Sequence, residues 1–363
     1  MLYRPYGKTK KMISVISAGG MRYENPSDIE KMAEIPLAAA KAGINYFDTA
    51  PGYSDNKSET ILSVAIKEMK RQNLQFYVAT KTWAHDRDTF WKHLESSLKT
   101  LGVDKIDFYH AWGVNDFTSY ETRKKTGVIK AFYEAKEQKL ISHVVCSSHM
   151  SGPDIAKMVK ENLFEGILLG FNAVNFIFRT EGIEAAKNNQ MGVVIMNPLY
   201  GGLITEHESR FSFIKTSLSQ SILEAALNFV VGWDGVTSAL VGFRNLDDVK
   251  SVVDCVKRFK PLSADDKERI KKQLQENFND MCTTCNYCKD CPKNIPVVSF
   301  MEAYNHYMLY NNPQTLFDRL KWHWGINDLS KLEECLECRE CEKKCNQKLP
   351  ILKRFKDIKE MKK

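Results

Sequence analysis

Runs of apolar and β-branched residues bounded by turn formers recur along the first two thirds of the chain. They are Ser14–Met21, Ile44–Ala50, Gln75–Lys81, Lys105–Trp112, Ile141–His149, Ile167–Val174, Gly192–Leu199 and Val236–Phe243. Their starts lie mostly about 30 residues apart, and the gaps carry helical periodicity, as in Ser58–Lys70 and Phe90–Leu101, long enough for the crossover that parallel strands require. Eight such units in series predict an α/β protein of the (β/α)8, or TIM, barrel type. A doubly wound open sheet is the alternative, but it normally has fewer strands and a glycine-rich first turn, and no G-x-G-x-x-G follows the first run.

The pattern changes near Pro261. LSADDKERIKKQL opens with Ser263 and Asp266 in a capping-box-like arrangement and predicts an amphipathic helix leading away from the barrel. The division predicts two domains, 1–262 and 263–363. Of ten cysteines, eight lie beyond it in two runs: Cys282, Cys285, Cys288 and Cys291, then Cys335, Cys338, Cys341 and Cys345. Cys146 and Cys255 stand apart and read as small core residues.

Composition narrows the function. The 363 residues are 43% hydrophobic and 27% charged, which excludes a disordered, collagenous or coiled-coil chain. The net charge of +7 is interleaved rather than gathered in a block, so no nucleic-acid partner is expected. No run of 18 apolar residues occurs, and the N-terminus carries charge where a signal peptide is apolar. The expectation is a soluble cytoplasmic protein without a membrane partner, in a compartment where clustered cysteines ligate metal rather than form disulfides.

In a barrel of this type the active site forms at the C-terminal ends of the strands. The second run ends in Asp48 and leads into Thr49, Ala50, Pro51, Gly52 and Tyr53, the third ends in Lys81, and the fourth carries His110 and Trp112. A carboxylate, an ammonium and a phenol on one rim suit carbonyl chemistry: Lys81, held by Asp48, would lower the pKa of Tyr53, which would protonate a carbonyl oxygen. Taken singly, Asp48 reads as a turn residue, Tyr53 as a loop aromatic and Lys81 as a solvated lysine.

INYFDTAPGYSDNKSETIL resembles the signature of the aldo-keto reductases, and VATKTW, KIDFYHAW, VVCSSH, MNPLYGG and LVGFRNLDDV follow in the family's order. The resemblance covers roughly residues 1–260. It implies a (β/α)8 barrel entered through an N-terminal hairpin, a nicotinamide cofactor, NADPH or NADH, bound without a Rossmann fold, and a small carbonyl or hydroxyl substrate. By resemblance Asp48, Tyr53 and Lys81 are catalytic. The family's catalytic histidine falls at Trp112, with His110 two residues earlier as either a displaced substitute or a core residue; Trp112 would stack on substrate or cofactor. The cofactor contacts implied are Ser147, His149, Asn172, Gly242, Phe243, Arg244 and Asn245. Leu168, Ser251 and Val252 depart from the family's usual Gln and Glu-Asn.

Cysteine runs of this spacing suit two 4Fe-4S clusters, with the fourth cysteine of each run serving the other cluster. That order implies Cys282, Cys285, Cys288 and Cys345 on one and Cys335, Cys338, Cys341 and Cys291 on the other; zinc and disulfides are the competing readings. The first run ends with x2 rather than x3, and Asn346 stands where proline follows in ferredoxins. Helical spacing between the runs, with a break at Pro313, predicts a small, mainly α-helical ferredoxin-like domain, and the whole chain resembles the ferredoxin-tailed branch of the aldo-keto reductases. The terminal KRFKDIKEMKK reads as a solvated helix face. Two functions are thus open. One is an iron-sulfur oxidoreductase fed by a nicotinamide, ferredoxin or another electron carrier, and the other is an electron-transfer or redox-sensing protein with a catalytically degenerate barrel.

Overall fold

A computed structural model describes residues 1–277, 280–284, 286–345 and 347–361. The chain divides into two compact units, Met1–Ser263 and Ala264–Lys363.

The first unit opens with an antiparallel hairpin, β1 (Tyr3–Pro5) and β2 (Met12–Ser14). Eight parallel strands then close into a barrel: β3 (Ile16–Gly19), β4 (Tyr46–Asp48), β5 (Tyr77–Thr82), β6 (Ile106–Ala111), β7 (Ile141–Ser148), β8 (Gly166–Gly170), β9 (Gly192–Met196) and β10 (Ser238–Gly242). Neighbours follow chain order and β10 pairs with β3, so the strands form a (β/α)8 barrel as their spacing predicts. Six strands fall within the apolar run expected for them, while β5 runs one residue past its run to Thr82 and β8 starts one residue before its run at Gly166. The connecting helices start where polar residues cap them: Asp28, Asp86, Asp116, Ser151, Ser221 and Asn245 each accept a hydrogen bond from an orphan amide of the first turn.

Side chains alternate across a strand, so every second residue enters the barrel. One interior layer contains Tyr46, Ala79, Phe108, Val145, Leu168 and Val194, packed with Tyr6 from the hairpin. Two residues further along their strands stand Asp48, Lys81, His110 and Ser147, which form the next layer. Tyr6 is fully buried, its ring 4.6 Å from that of Phe108. Space for it comes from Gly166 and Gly192, where an added Cβ would stand 2.0 and 2.2 Å from Tyr6 atoms. The tyrosine stoppers the barrel interior beneath the polar layer.

The second unit is helical; among the described residues it contains no strand. Its longer helices are Ala264–Asn277, Val297–Tyr310, Pro313–Trp324 and Ile351–Met361, the break before Pro313 being the one the sequence signals. Phe300, Met301, Leu316, Leu320, Leu332, Ile351 and Phe355 pack into a core that includes Cys282, Cys288 and Cys345. The buried Glu302 joins two helices, accepting from Arg319 Nη2 at 2.7 Å and from Trp324 Nε1 at 2.9 Å. The C-terminal segment departs from the solvated face expected of it. Ile351, Arg354, Phe355 and Ile358 recur at helical spacing and turn inward, leaving Lys353 and Lys356 outside.

Gly192→Ala should destabilise the barrel by about 1–3 kcal/mol, since the new methyl overpacks against the Tyr6 ring. Urea unfolding followed by fluorescence measures this; a midpoint equal to that of the parent chain would refute the stopper.

Candidate active site and cysteine pocket

Parallel pairing sets Gly19 beside Asp48, Asp48 beside Ala79, and Lys81 beside His110. The strand-end residues singled out in the sequence therefore lie on adjacent strands. Lys81 Nζ donates to Asp48 Oδ1 and, at 2.8 Å, to the carbonyl of Thr49. Both side chains are 1% exposed, so Lys81 is a buried ion-pair member rather than a solvated lysine. Burial pushes the Asp48 carboxyl up and the Lys81 ammonium down, and their mutual charge and hydrogen bond oppose both shifts.

The Lys81 ammonium stands 5.0 Å from the centre of the Tyr53 ring. The expected lowering of the Tyr53 pKa is not what this environment produces. Burial pushes the phenol up, and the Asp48 carboxylate pushes it further, because the charge of Lys81 is already committed to Asp48 and Thr49. Tyr53 is accordingly a neutral phenol throughout the neutral range.

His110 is fully buried, its Nε2 3.2 Å from Tyr46 Oη and 3.8 Å from Asp48 Oδ2. Burial and the positive charge of Lys81 hold its pKa well below the usual histidine range, which keeps the imidazole neutral. It sits in the polar layer beneath the mouth, while Trp112 follows the end of β6 and meets Tyr53 edge-on at 5.4 Å between ring centres. Arg123, buried in the following segment, donates to the carbonyl of Trp112 at 2.8 Å.

The expected cofactor residues divide. Ser147 Oγ accepts from the Gly113 amide at 3.0 Å, and His149, after β7, is exposed. Asn172 is buried and internally committed, Nδ2 donating to the Asn197 carbonyl and Oδ1 accepting from the Val174 amide. Gly242 ends β10 and Phe243 is buried. Arg244 is paired with Asp248 through Nε at 3.0 Å and Nη2 at 3.2 Å. Asn245 caps the helix Leu246–Lys257 and donates to Glu24.

The sequence model of the Aldo/keto reductase family matches residues 15–275. The chain belongs to the aldo/keto reductase family. It is an oxidoreductase of that type. An uncharacterized oxidoreductase of Bacillus subtilis is 23% identical over 306 residues, 70% of this chain and 91% of that one. The NADH-specific methylglyoxal reductase of Escherichia coli is 24% identical over 268 residues, 68% and 74% of the two chains. Among solved structures, the holo form of an aldo-keto reductase from Bacillus halodurans covers 75% of this chain and 96% of its own, with a TM-score of 0.66 and 22% identity. No helix among the described residues is long and apolar enough to cross a membrane.

In this aldo/keto reductase, sequence reasoning passed over Trp83 and Arg123. Trp83, 44% exposed, packs against Trp112 at 5.7 Å. Strand alternation two residues beyond Lys81 was its available signal. Arg123 had none, because its role depends on the fold of the rim segment.

In the second unit, Cys291, Cys335, Cys338 and Cys341 line one pocket, together with Cys288, Ile295, Leu352 and Phe355. Cys282, Cys288 and Cys345 are buried, whereas Cys338 is exposed. The nine described cysteines are all free of disulfides; Cys285 lies outside the described residues. Among the described residues, no three ligating side chains converge as they would on a single metal ion. The Thr284 amide donates to Cys282 Sγ at 3.4 Å, and burial pushes the Cys341 thiol up to about 11.

Lys81→Met strands the Asp48 carboxylate in the barrel and should cost about 3–5 kcal/mol at neutral pH. Without the cation the folded pKa of Asp48 rises further above its unfolded value near 3.9. The variant should therefore regain stability as the pH falls from 7 toward 4, the reverse of ordinary acid denaturation. Urea midpoints across that range provide the check, and a variant as stable as the parent at pH 7 would contradict the pairing.

Proposed function

We propose that the barrel reduces a small carbonyl compound, or oxidises the corresponding alcohol, with Tyr53 as the group that gives or takes the proton at the substrate oxygen. The observation that carries this reading is the buried Lys81–Asp48 pair beneath the Tyr53 ring. A neutral phenol arrives at the carbonyl already protonated. When it gives up its proton, the ammonium 5.0 Å from its ring offsets only that part of the developing phenolate charge which its pairing with Asp48 and Thr49 does not already take up. Asp48 keeps Lys81 in place, and Trp112, anchored through Arg123, closes one side of the mouth as a surface on which a flat group stacks. His110 is a positioning residue for Asp48 and Tyr46, held out of contact with substrate by its burial.

A nicotinamide bound in the barrel mouth would supply hydride to the carbonyl carbon. Ser147, whose hydroxyl proton is uncommitted among the described hydrogen bonds, fits a carboxamide. His149 borders the same strand end. Gly242, Phe243 and Asn245 lie where a pyrophosphate and ribose are expected. Arg244, engaged on both sides by Asp248, does not fit a 2′-phosphate, whereas a carboxylate at that position suits a ribose hydroxyl. We therefore assign NADH rather than NADPH. Asn172 supports the structure of its own loop instead of the cofactor.

For the second unit the proposed cofactors are two 4Fe-4S clusters, giving a ferredoxin-like domain over residues 263–363. The convergence of Cys291 with Cys335, Cys338 and Cys341 on one pocket supports the crosswise assignment, as does the sharing of one core by Cys282, Cys288 and Cys345. The remaining ligand would be Cys285. A cubane holds its cysteine sulfurs farther apart than the ligands of one ion, which agrees with thiols placed around a cavity. Such clusters would supply one-electron chemistry, with a ferredoxin or another one-electron carrier as partner and the cytoplasm as location. The platform reading is favoured by the internal commitment of Asn172 and Arg244, and it requires that no nicotinamide bind at all.

Tyr53→Phe should lower turnover by ~10²-fold or more while leaving substrate affinity little changed. Carbonyl reduction by the parent chain should show no alkaline limb from Tyr53 below about pH 10. Full activity of the variant would reject the assignment. Fluorescence titration should show NADH binding more tightly than NADPH, with Asp248→Asn narrowing the gap; binding of neither would favour the platform.

Anaerobically purified protein should contain about eight iron and eight sulfide per chain. Cys345→Ser should damage the cluster of the first run and spare that of the second. Zinc without sulfide would overturn the cluster reading.

A further inference from the structure

The two cysteine sets differ in their surroundings. Cys282, Cys288 and Cys345 are buried, at 7%, 8% and 7% exposure, and a buried cation, Arg354, at 5%, lies within electrostatic reach of Cys282 and Cys345. Its Nη2 donates to the Asp280 carbonyl, two residues before Cys282. Its guanidinium stands 4.7 Å from the centre of the Tyr304 ring. Its Nη1 is shut off from solvent and has no hydrogen-bond partner among the described residues. Burial pushes the guanidinium down from its ordinary value, and the groups acting on it electrostatically, after Tyr304, are Cys282, Asp280 and Cys345; arginine nonetheless stays charged.

The Cys291, Cys335, Cys338 and Cys341 set has cations nearby as well, but of another kind. Lys293, Arg339 and Lys344 line its pocket from exposed positions. Lys344 faces Asp290 at 3.5 Å, and the pocket also carries Glu340, itself paired with Lys343 at 2.7 Å. Water, salt and these carboxylates screen such charges. No comparable screening reaches Arg354, although the Asp280 carboxylate offsets part of its field.

We propose that Arg354 makes the set of Cys282, Cys288 and Cys345 the more easily reduced of the two. The assignment rests on the reading that both sets hold 4Fe-4S clusters. Adding an electron to a thiolate-ligated cluster adds negative charge at fixed ligands, and charge and hydrogen bonds around the sulfurs set the potential. A buried guanidinium with an idle N–H stabilises that added charge. The Thr284 amide donated to Cys282 Sγ acts in the same sense. Arg354 is a tuning residue rather than a ligand, and it biases one electron toward the buried set when the exposed set has been reduced by an outside one-electron carrier.

The test is an EPR-monitored redox titration of the full chain, purified anaerobically, with iron and sulfide measured on every sample. The parent chain should show two one-electron waves, assigned by their loss in Cys282→Ser and in Cys338→Ser. In Arg354→Gln, the wave lost in Cys282→Ser should move to more negative potential by at least tenfold in its reduction equilibrium, about 59 mV for one electron. The other wave should stay in place. Arg354→Lys retains the charge and should leave both waves near the parent values, an outcome that a purely structural role does not predict. Unmoved waves in a fully loaded Arg354→Gln overturn the proposal, as does movement of the wave lost in Cys338→Ser. Loss of clusters in both Arg354 variants marks the residue as scaffold and overturns it too. Absence of iron and sulfide from the parent chain instead brings down the cluster reading on which the proposal stands.

Discussion

The constraint on which the barrel's chemistry depends is the burial of one ion pair. Lys81 and Asp48 are removed from water together, a costly arrangement that geometry and further hydrogen bonds must offset. The pairing of β4 with β5 sets the two residues on one interior face, and Thr49 supplies the additional acceptor. The surrounding groups inherit its electrostatics: Asp48 helps keep Tyr53 protonated, and Lys81 helps keep His110 neutral. Everything below serves to hold it dry, from the aromatic layer of Tyr46 and Phe108 to Tyr6 and the glycines that admit it.

The second unit solves a related problem with sulfur. Four of its seven described cysteines are partly or fully exposed, and the other three share a core with Phe300 and Phe355. The Glu302, Arg319 and Trp324 network fixes two helices that carry no cysteine. The helices thus form a frame, and the cysteines ride mainly on the irregular segments between them, where left-handed residues such as Thr284, Asn286, Glu337 and Arg339 turn the backbone.

The barrel was legible because its signal is repeated: apolar runs alternating with helical periods, each strand ending in polar residues. The placement of Asp48 and Lys81 on neighbouring strand ends was legible because strand ends mark the rim; the burial that pairs them was not. Single-residue environments were less visible. A lowered phenol pKa for Tyr53 needs a free cation, and in the folded barrel Lys81 is saturated by two oxygens. Arg244 and Asn172 carry the right chemical groups, but hydrogen bonds to Asp248 and Asn197 consume those groups. The inward turn of the last helix was hidden because its lysines dominate composition while three apolar positions decide its placement.

In the proposed reaction hydride reaches a substrate carbonyl in the barrel while Tyr53 handles the proton. Anaerobic reaction of a carbonyl substrate with NADH deuterated at C4, in ordinary water, tests it directly by mass spectrometry of the alcohol. One deuterium should appear on the carbinol carbon, and only when the label occupies one of the two C4 faces. Alcohol formed with no deuterium at that carbon, its hydrogen drawn from solvent instead, would contradict it.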